Sequence, residues 1–360
     1  MKNNQVTQPF TLSRIEKRKG KKNKFSKRKK IWLFTFAFVF IVGIGSYVFR
    51  KELLIFGFNN VVAPTIEQTL DNSYVPLKET EEPGIQQPAD QGDRPFSILL
   101  LGTDQRGNEN GLSDSIIYTV IRPKDSKALL VSIPRDSYTE IIGADKVKGA
   151  RTHTKINAAH SYGGPQMSVD TVKNLLNVPI EYYATINFSG LVEVTDALGG
   201  VELPITKVIE NKSPYHEKLR IEPNKPIYSG KEALMYVRYR EDSDFKRTER
   251  QRIFLKAALN RMKRMDNILN VQNIIEIAGG NFKTNMKSDF ILDLAKQVIL
   301  NGGTPEITSH MMQGKGSSKD QWYYMLDEAD IKRTHEMIEI WLDPDATSTD
   351  LSTASIDAAA

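Results

Sequence analysis

Apolar residues recur along the chain in two patterns, and these patterns predict its secondary structure. Short apolar runs bounded by Gly, Pro or Asp are typical of β-strands, and they occur at 96–102, 116–122, 128–133, 182–188 and 200–205. Apolar residues at three- and four-residue spacing predict helices at 165–177, 189–198, 231–239, 246–265, 288–301 and 328–342. Strands and helices mixed at this density predict a three-layer α/β/α domain with a central mixed β-sheet, spanning residues 95–345.

The N-terminal part contains one long apolar run, residues 31–49, which holds no charged residue. As a helix this run would be about 28 Å long, enough to cross the hydrocarbon core of a membrane. The residues that follow, 50–52, are all charged and offer no small-residue cleavage site, which favours an uncleaved anchor over a signal peptide. The sequence therefore predicts a single transmembrane helix in front of the domain.

The distribution of basic residues orients this helix. Residues 1–30 hold twelve Lys and Arg against one acid, so we expect a basic cytoplasmic tail that is attracted to anionic membrane lipid. The chain after the anchor is then extracellular, in a single-pass type II protein of the cell membrane. Residues 50–94, rich in Pro, Glu and Gln after an apolar start, predict an extracellular tether, and residues 346–360 predict a disordered tail.

Charge and cysteine content narrow the classes of function. The formal net charge of the whole chain is +5, but residues 1–51 hold fourteen basic residues and one acid, which leaves the remainder at −8. An acidic exported domain argues against nucleic-acid binding, which requires an electropositive face. The chain has no cysteine, which excludes disulfides, thiol catalysis and zinc sites built from cysteine.

Two aspartates follow the first predicted strand of the domain. Asp104 comes just after the apolar run 96–102, and a Gly- and Asn-rich loop can bring Asp114 back beside it. Ligands of open α/β sheets bind where strands end, and two carboxylates with phosphate oxygens and water suit Mg²⁺. Taken alone, the spacing favours a simpler interpretation, in which both aspartates are turn or cap residues.

Arginines form the second group of candidates. Those concentrated in one short region are Arg238, Arg240, Arg247, Arg250 and Arg252. Their density indicates phosphate binding, because the planar guanidinium group forks onto phosphate oxygens, although a solvated helix start remains the alternative. Arg135 follows Pro134, which ends the third predicted strand, and it can serve as a further phosphate fork or pair locally with Asp136.

Local patterns assign the arginines of this region to two elements. Alternating residues give one interpretation in which Arg238 and Arg240 lie on the same face of a strand, beside the helical pattern at 231–239. A helix then begins near Asp244, which is a suitable N-cap. The four-residue spacing of Arg247 and Gln251 places both on one face of that helix.

Five segments of the domain resemble the LytR-CpsA-Psr family, in the same order along the chain: FSILLLGTD, SDSIIYTVIRPKDSKALLVSIPRDSY, KINAAHSYGG, VPIEYYATINFSGLVEVTDALGGVEL and YVRYREDSDFKRTERQR. The resemblance spans roughly residues 95–260. It implies an enzyme that moves an anionic glycopolymer from a polyprenyl-pyrophosphate carrier to peptidoglycan with the help of Mg²⁺. The polymer would be wall teichoic acid or capsular polysaccharide, on the surface of a Gram-positive-type bacterium.

The family's motifs imply roles for single residues. Asp104 and Asp114 match the magnesium carboxylates. The arginines that match the pyrophosphate site are Arg135, Arg238, Arg240 and Arg247, and these six residues form the expected catalytic set. The polar residues that match the lining of the same site are Asp244 and Gln251.

One position departs from the family's pattern. The family often has Arg where this chain has Leu112, so a cationic contact is missing or is replaced by Arg106.

Two functions of other classes remain open from the sequence. One is a lipid pyrophosphatase that uses water as the acceptor, and the other is a non-catalytic envelope scaffold that binds wall polymer.

Overall fold

A six-stranded β-sheet lies at the centre of the protein in the computed structural model. The structure describes residues 63–78, 94–105, 110–212, 218–239, 241–242, 244–262, 264, 274, 276–277, 279–301, 305–318 and 320–357. The predicted basic tail and anchor, and most of the predicted tether, lie outside these residues. Within the described ranges, no helix is both long and apolar enough to cross a membrane.

The strands, in chain order, are β1 Phe96–Thr103, β2 Ser113–Arg122, β3 Lys127–Ser132, β4 Tyr138–Glu140, β5 His153–Lys155, β6 Tyr182–Asn187, β7 Ile209–Glu210, β8 Arg220–Ile221, β9 Phe282–Thr284, β10 Glu306–Met311, β11 Gly314–Ser318 and β12 Trp322–Leu326. The central sheet has the order β10-β3-β2-β1-β6-β9. β1 pairs antiparallel with β2 and parallel with β6, so the sheet is mixed, as the sequence predicts. The pairs β4-β5, β7-β8 and β11-β12 form separate two-stranded ribbons.

The helices of the described residues are α1 Ala63–Asn72, α2 Ala158–Leu176, α3 Phe188–Ala197, α4 Gly230–Arg238, α5 Asp244–Met262, α6 Ser288–Asn301, α7 Glu328–Leu342 and α8 Ser348–Asp357. A kink at Gly163 and Gly164 divides α2, and its second part begins at Pro165, where the sequence predicts a helix start. α3 ends before Gly199 and Gly200, which have positive φ angles of 75° and 81°. Residues with a side chain rarely adopt this conformation, so the two glycines stop the helix as expected.

Helices cover both faces of the sheet. On one face, α2 and α7 bury Val172 and Trp341 against Leu99. On the opposite face, α6 packs Phe290 against Phe96, and α3 and α5 cover the neighbouring part of the sheet. Because side chains alternate along a strand, β1 supplies apolar residues to both layers. The three-layer arrangement predicted from the sequence is therefore present.

The strand predicted at 200–205 is wrong. Its residues make one isolated bridge, between Val201 and Tyr228, outside the named strands. Val201, Leu203 and Ile205 alternate as in a strand, but they pack together with α4 in a cluster of their own. Alternating apolar and polar residues indicate that one face of an extended segment is buried. A segment can bury one face without pairing with a strand of a sheet.

The residues up to Arg238 have two interpretations from the sequence, and the structure confirms the helix predicted at 231–239, which is α4, so the alternative strand is wrong. Ser229 caps this helix: its side chain accepts a hydrogen bond from the Glu232 N–H, and the Glu232 carboxylate accepts one from the Ser229 N–H. This reciprocal capping box starts the helix, and the buried Ala233 and Val237 continue its apolar face. Arg238 is therefore the last residue of a helix.

The folded domain extends beyond the predicted limits of 95–345 at both ends. α1 lies in the predicted tether, and after it the Val75 N–H donates to the Thr284 carbonyl over 2.7 Å, at the edge of the sheet. α8 lies in the predicted disordered tail, where Leu351 and Ala354 are buried in the main core. Both segments are polar apart from a few apolar residues, so their periodic signal is weak.

Candidate functional site

A cavity of about 330 Å³ lies between the sheet and the helices α3, α4 and α5. Most of its wall is apolar and is formed by Leu100, Ile117, Ala184, Ile186, Phe188, Leu191, Phe254, Leu255 and Phe282. A wall of this kind excludes water and fits a hydrocarbon chain. The charged and polar part of the wall is formed by Asp114, Arg135, Arg238, Arg247 and Gln251, together with Ser115 and Asn187.

A β-bulge places Asp114 in this wall. Gly102 pairs with Ser115 whereas Thr103 pairs with Ser113, so Asp114 is an extra residue on β2 with no residue opposite to it. Bulges of this type redirect a side chain at the end of a ladder. The bulge therefore turns a carboxylate into the cavity at the end of β1 where the apolar part of the strand stops.

Acidic side chains hold Arg135 from two directions. Its Nη1 bonds to Asp114 Oδ1, and its Nε lies 3.5 Å from Asp136 Oδ2. Asp136 is itself buried and pairs with the Lys155 ammonium group over 2.8 Å. The two interpretations of Arg135 from the sequence are thus compatible, because the side chain pairs locally with Asp136 and also lines the cavity. Its guanidinium group is oriented by the protein itself.

The first turns of α5 contribute a second arginine and an amide. Arg247 and Gln251 both line the cavity, as their four-residue spacing predicts. Arg247 is buried, and Ser115 Oγ donates to Gln251 Oε1 over 3.1 Å. Arg250 has a different role, because it pairs with the Asp242 carboxylate through bonds of 2.6 Å and 3.0 Å.

Arg238 reaches the cavity from the end of α4. Its guanidinium carbon lies 4.8 Å from the centre of the Phe188 ring, a cation–π contact that orients the side chain. Arg240 lies outside the described residues. Asp244 is the first residue of α5, but its side chain also lies outside what the structure describes, so its predicted roles stay predictions.

Asp104 follows β1 beside the residues that lead into β2. Its N–H bonds to the Leu112 carbonyl over 3.1 Å, and Gly111 is so close that a Cβ there would collide with Asp104 Oδ1. The buried His160 holds the same segment, with its Nδ1 2.7 Å from the Gly111 carbonyl. Burial lowers the pKa of His160, against the opposing effects of its bond to Gly111 and of the Asp104 charge.

The chemistry of these side chains fits magnesium. The cavity wall includes Asp114 but not Asp104, and the two carboxylates leave the neighbouring strands β1 and β2. In the described part of the chain no group of three or more His, Cys, Asp or Glu is placed to hold a metal. Mg²⁺ commonly uses one or two carboxylates and takes its other ligands from water and substrate phosphates. Asp104 and Asp114 therefore suit an ion that arrives with a phosphate.

The structure also shows contacts that the sequence did not reveal. Ser115 holds Gln251, Phe188 holds Arg238, and Lys155 neutralises Asp136. None of these pairs follows a helical or strand spacing, because each joins distant parts of the chain. The position of Phe188 directly after β6 is the one signal in the sequence that could have indicated a place at the site.

Fold and cavity together define a three-layer α/β protein whose binding site has a mostly apolar wall. Cationic side chains line it after β3, at the end of α4 and in the first turns of α5. The model of the LytR_cpsA_psr family matches residues 62–339. The chain belongs to this family.

Named relatives agree with this assignment. The polyisoprenyl-teichoic acid–peptidoglycan teichoic acid transferase TagU of Bacillus cereus is 33% identical over 308 residues, 84% of this chain and 94% of the relative. The crystal structure of Bacillus subtilis TagV is similar with a TM-score of 0.59 and 31% identity, covering 70% of this chain and 99% of that one. A structure of TagT bound to LI-WTA has a TM-score of 0.58 and 25% identity, with 75% and 99% covered.

Proposed function

We propose that the protein transfers a glycopolymer, wall teichoic acid or capsular polysaccharide, from a polyprenyl-pyrophosphate carrier to peptidoglycan. The observation that carries the proposal is the amphiphilic cavity. Its apolar wall fits the polyprenyl chain, and Arg135, Arg238 and Arg247 line the same space and fit the diphosphate. The transferase name of the TagU relatives and the TagT structure bound to LI-WTA support this class of substrate.

The reaction would be a phosphoryl transfer. A hydroxyl of the glycan strand attacks the phosphorus that bears the polymer, a new P–O bond forms, and the proton of the hydroxyl passes to water. The bond to the carrier breaks, and polyprenyl phosphate leaves with the electron pair. The arginines neutralise the charge that spreads over the phosphate oxygens, and Asp136 and Phe188 already hold two of them in place.

Asp104 and Asp114 would hold Mg²⁺, which when bound supplies further charge stabilisation on the phosphate oxygens. The ion pair between Asp114 and Arg135 keeps a carboxylate and a guanidinium group side by side in the site. A diphosphate would then bond to the guanidinium group directly, while the carboxylate would act on it only by holding the cation. This arrangement needs little rearrangement of the protein, because the two side chains are already in the wall of the cavity.

The predicted anchor at 31–49 fits the same substrate. A polyprenyl carrier does not leave the membrane, so an enzyme that uses it must work at the membrane surface. We propose that the chain is held there with its folded domain outside the cell, as the basic residues 1–30 indicate.

The test is a reconstituted reaction of the full-length protein with lipid-linked polymer and Mg²⁺, with and without peptidoglycan. We expect polymer linked covalently to the glycan strand, and little release of polymer when peptidoglycan is omitted. Rapid release to water in both reactions would instead identify a lipid pyrophosphatase. The alternative of a non-catalytic scaffold is tested with Asp104→Ala in cells. If the protein only binds polymer, this variant would leave the attachment of polymer to the wall unchanged.

A further inference from the structure

An aromatic surface lies on the ribbon β11-β12, apart from the cavity. Trp322 is 44% exposed, which is unusual for the largest apolar side chain. Tyr324 lies two residues further along β12 and therefore on the same face, with its ring centre 6.4 Å from that of Trp322. We call these two rings the aromatic platform.

Glycines on the paired strand support the platform. Gly316 lies opposite Tyr324 in the ribbon, and a Cβ at Gly316 would lie only 3.1–3.4 Å from three atoms of the Trp322 indole. A Cβ at Gly314 would likewise lie 2.8 Å from the Tyr324 ring. The indole thus rests against bare backbone of β11, which fixes the ring while leaving the side chain largely open to solvent.

The platform is joined directly to the candidate site. The Tyr324 N–H donates to the Asp136 carbonyl over 2.9 Å, and the Asp136 carboxylate contacts Arg135. Tyr323 points to the other face of the ribbon, where it is buried against the Tyr138 ring at 4.9 Å between ring centres. The segment that carries Arg135 therefore also fixes the position of the platform.

The platform and the cavity lie on different layers of the fold. The cavity lies between the sheet and α5, whereas β12 packs on β4, which packs on α2 in the opposite layer. In phosphoryl transfer the attacking and leaving oxygens are roughly in line on opposite sides of the phosphorus. Since the leaving polyprenyl phosphate would occupy the cavity, the acceptor would approach from outside the cavity, where the platform also lies.

The chemistry of the platform favours a sugar with little charge. Aromatic faces are electron-rich and attract the C–H groups that cover one face of a pyranose ring. Asp320, two residues before Trp322, pairs with Arg151, so this ion pair adds no net positive charge for an anionic polymer. The amino sugars of a glycan strand fit this surface better than a chain of phosphodiesters does.

We propose that Trp322 and Tyr324 bind the glycan strand of the acceptor, so that a sugar stacked on the platform presents its neighbour's hydroxyl to the phosphorus near Arg135. This proposal rests on the proposed function for the identity of the glycan. The binding itself is a property of the platform and can be measured without any transfer.

The test is titration calorimetry of the full-length protein in detergent with a tetrasaccharide of alternating N-acetylglucosamine and N-acetylmuramic acid. The variants are Trp322→Ala, Trp322→Phe and Met262→Ala. Met262→Ala is the matched control for the loss of an exposed apolar side chain, because Met262 on α5 is 40% exposed. We expect Trp322→Ala to weaken binding at least about tenfold, Trp322→Phe to retain most of it, and Met262→Ala to leave it unchanged. A teichoic acid fragment serves as the second ligand and should bind equally to all four proteins.

Each outcome has a defined meaning. The proposal is overturned if the tetrasaccharide does not bind the parent protein, if Trp322→Ala binds as well as Trp322→Phe does, or if the teichoic acid fragment is the ligand that Trp322→Ala loses. The tetrasaccharide could bind in a way that depends on the Trp322 ring while the protein transfers no polymer. That result would support the role of the platform in glycan binding and reject the proposed function. In an active protein, Trp322→Ala should raise KM for the glycan while leaving KM for the lipid-linked donor unchanged.

Discussion

At the scale of single residues, the neighbours of a side chain decide its role more than its type does. Three arginines in the first turns of α5 show this. Arg247 is buried in the cavity wall, Arg250 pairs with Asp242, and Arg252 donates to Ser309 Oγ over 2.8 Å. The sequence identified a dense group of arginines, but it could not separate them, because the partners of two of them come from outside the helix.

Replacing Arg247 with lysine tests whether the site requires a planar guanidinium group. Lysine keeps the charge but cannot bond two phosphate oxygens in the same plane, so we expect Arg247→Lys to lower kcat about 10²-fold. Arg252→Lys is the matched control, because it makes the same change on the same helix outside the cavity wall. Steady-state rates and thermal midpoints of both variants are the measurements. Equal rates in the two variants, with equal stability, would contradict a phosphate-binding role for Arg247.

The buried His160 predicts a pH dependence of stability. Burial lowers its pKa below the ordinary value, so the folded state resists a proton that the unfolded state accepts. Above about pH 6.5, the neutral His160 does not reduce the free energy of unfolding. This free energy declines as the pH falls from the pKa of the unfolded state to the lower pKa of the folded state. Below that range, His160 causes no further decline.

His160→Gln should remove this contribution while keeping a side-chain donor for the Gly111 carbonyl. The measurement is the free energy of unfolding in urea at several pH values, for the parent and the variant. We expect the difference between the two proteins to change as the pH falls below about 6.5, with the parent losing more stability. An identical pH dependence in both would show that the His160 proton is not linked to folding.

At the scale of elements, the sequence predicted the four inner strands of the central sheet and missed its two edge strands, β9 and β10. The runs at 96–102 and 128–133 are continuous and apolar, and they became the central strands β1 and β3. The strand at 200–205 failed because alternation does not distinguish a paired strand from an extended segment with one buried face. Around Arg238 the same alternation competed with the helical pattern at 231–239, and the helix is the one that forms. The β-bulge at Asp114 could not be predicted, because it depends on how two strands align.

The turn between β1 and β2 predicts that Gly111 has no tolerance for a side chain. A Cβ at this position would collide with Asp104 Oδ1 and lie 2.5 Å from the Gln105 nitrogen, so Gly111→Ala must displace the segment that carries Asp104. We expect activity to fall about 10²-fold and the Mg²⁺ concentration needed for half-maximal rate to rise. Gly280→Ala is the control, because nothing lies within 4 Å of its added Cβ. If the Mg²⁺ dependence of Gly111→Ala is unchanged, Asp104 does not hold the metal ion.

The C-terminal helix α8 is expected to contribute to stability, although the sequence predicts a disordered tail there. Leu351 is 2% exposed and packs in the main core, so Leu351→Ala should lower the free energy of unfolding by about 2–4 kcal/mol. Thr353→Ala on the exposed side of the same helix should change it by less than about 0.5 kcal/mol. Urea unfolding of the full chain measures both. Equal stability of the two variants would mean that α8 is detached from the core in solution.

At the scale of the whole molecule, the site residues that the structure describes all lie in the folded domain. Asp104, Asp114, Arg135, Arg238 and Arg247 all belong to the described part of the chain. For the anchor predicted at 31–49, the role that we expect is to keep the domain beside a substrate that is confined to the membrane. The sequence carries this prediction alone, through the length and orientation of an apolar run.

Removing residues 1–61 should therefore separate chemistry from location. On a short-chain, water-soluble diphosphate donor, the shortened and full-length proteins should have the same kcat and KM, because the cavity is intact in both. On a polyprenyl donor in vesicles, the shortened protein should lose at least about 10²-fold in rate at low enzyme concentration, since the anchor raises the local concentration of enzyme at the surface. Equal rates on vesicles would show that the folded domain binds the membrane unaided, and equal losses on both donors would show that residues 1–61 contribute to the site itself.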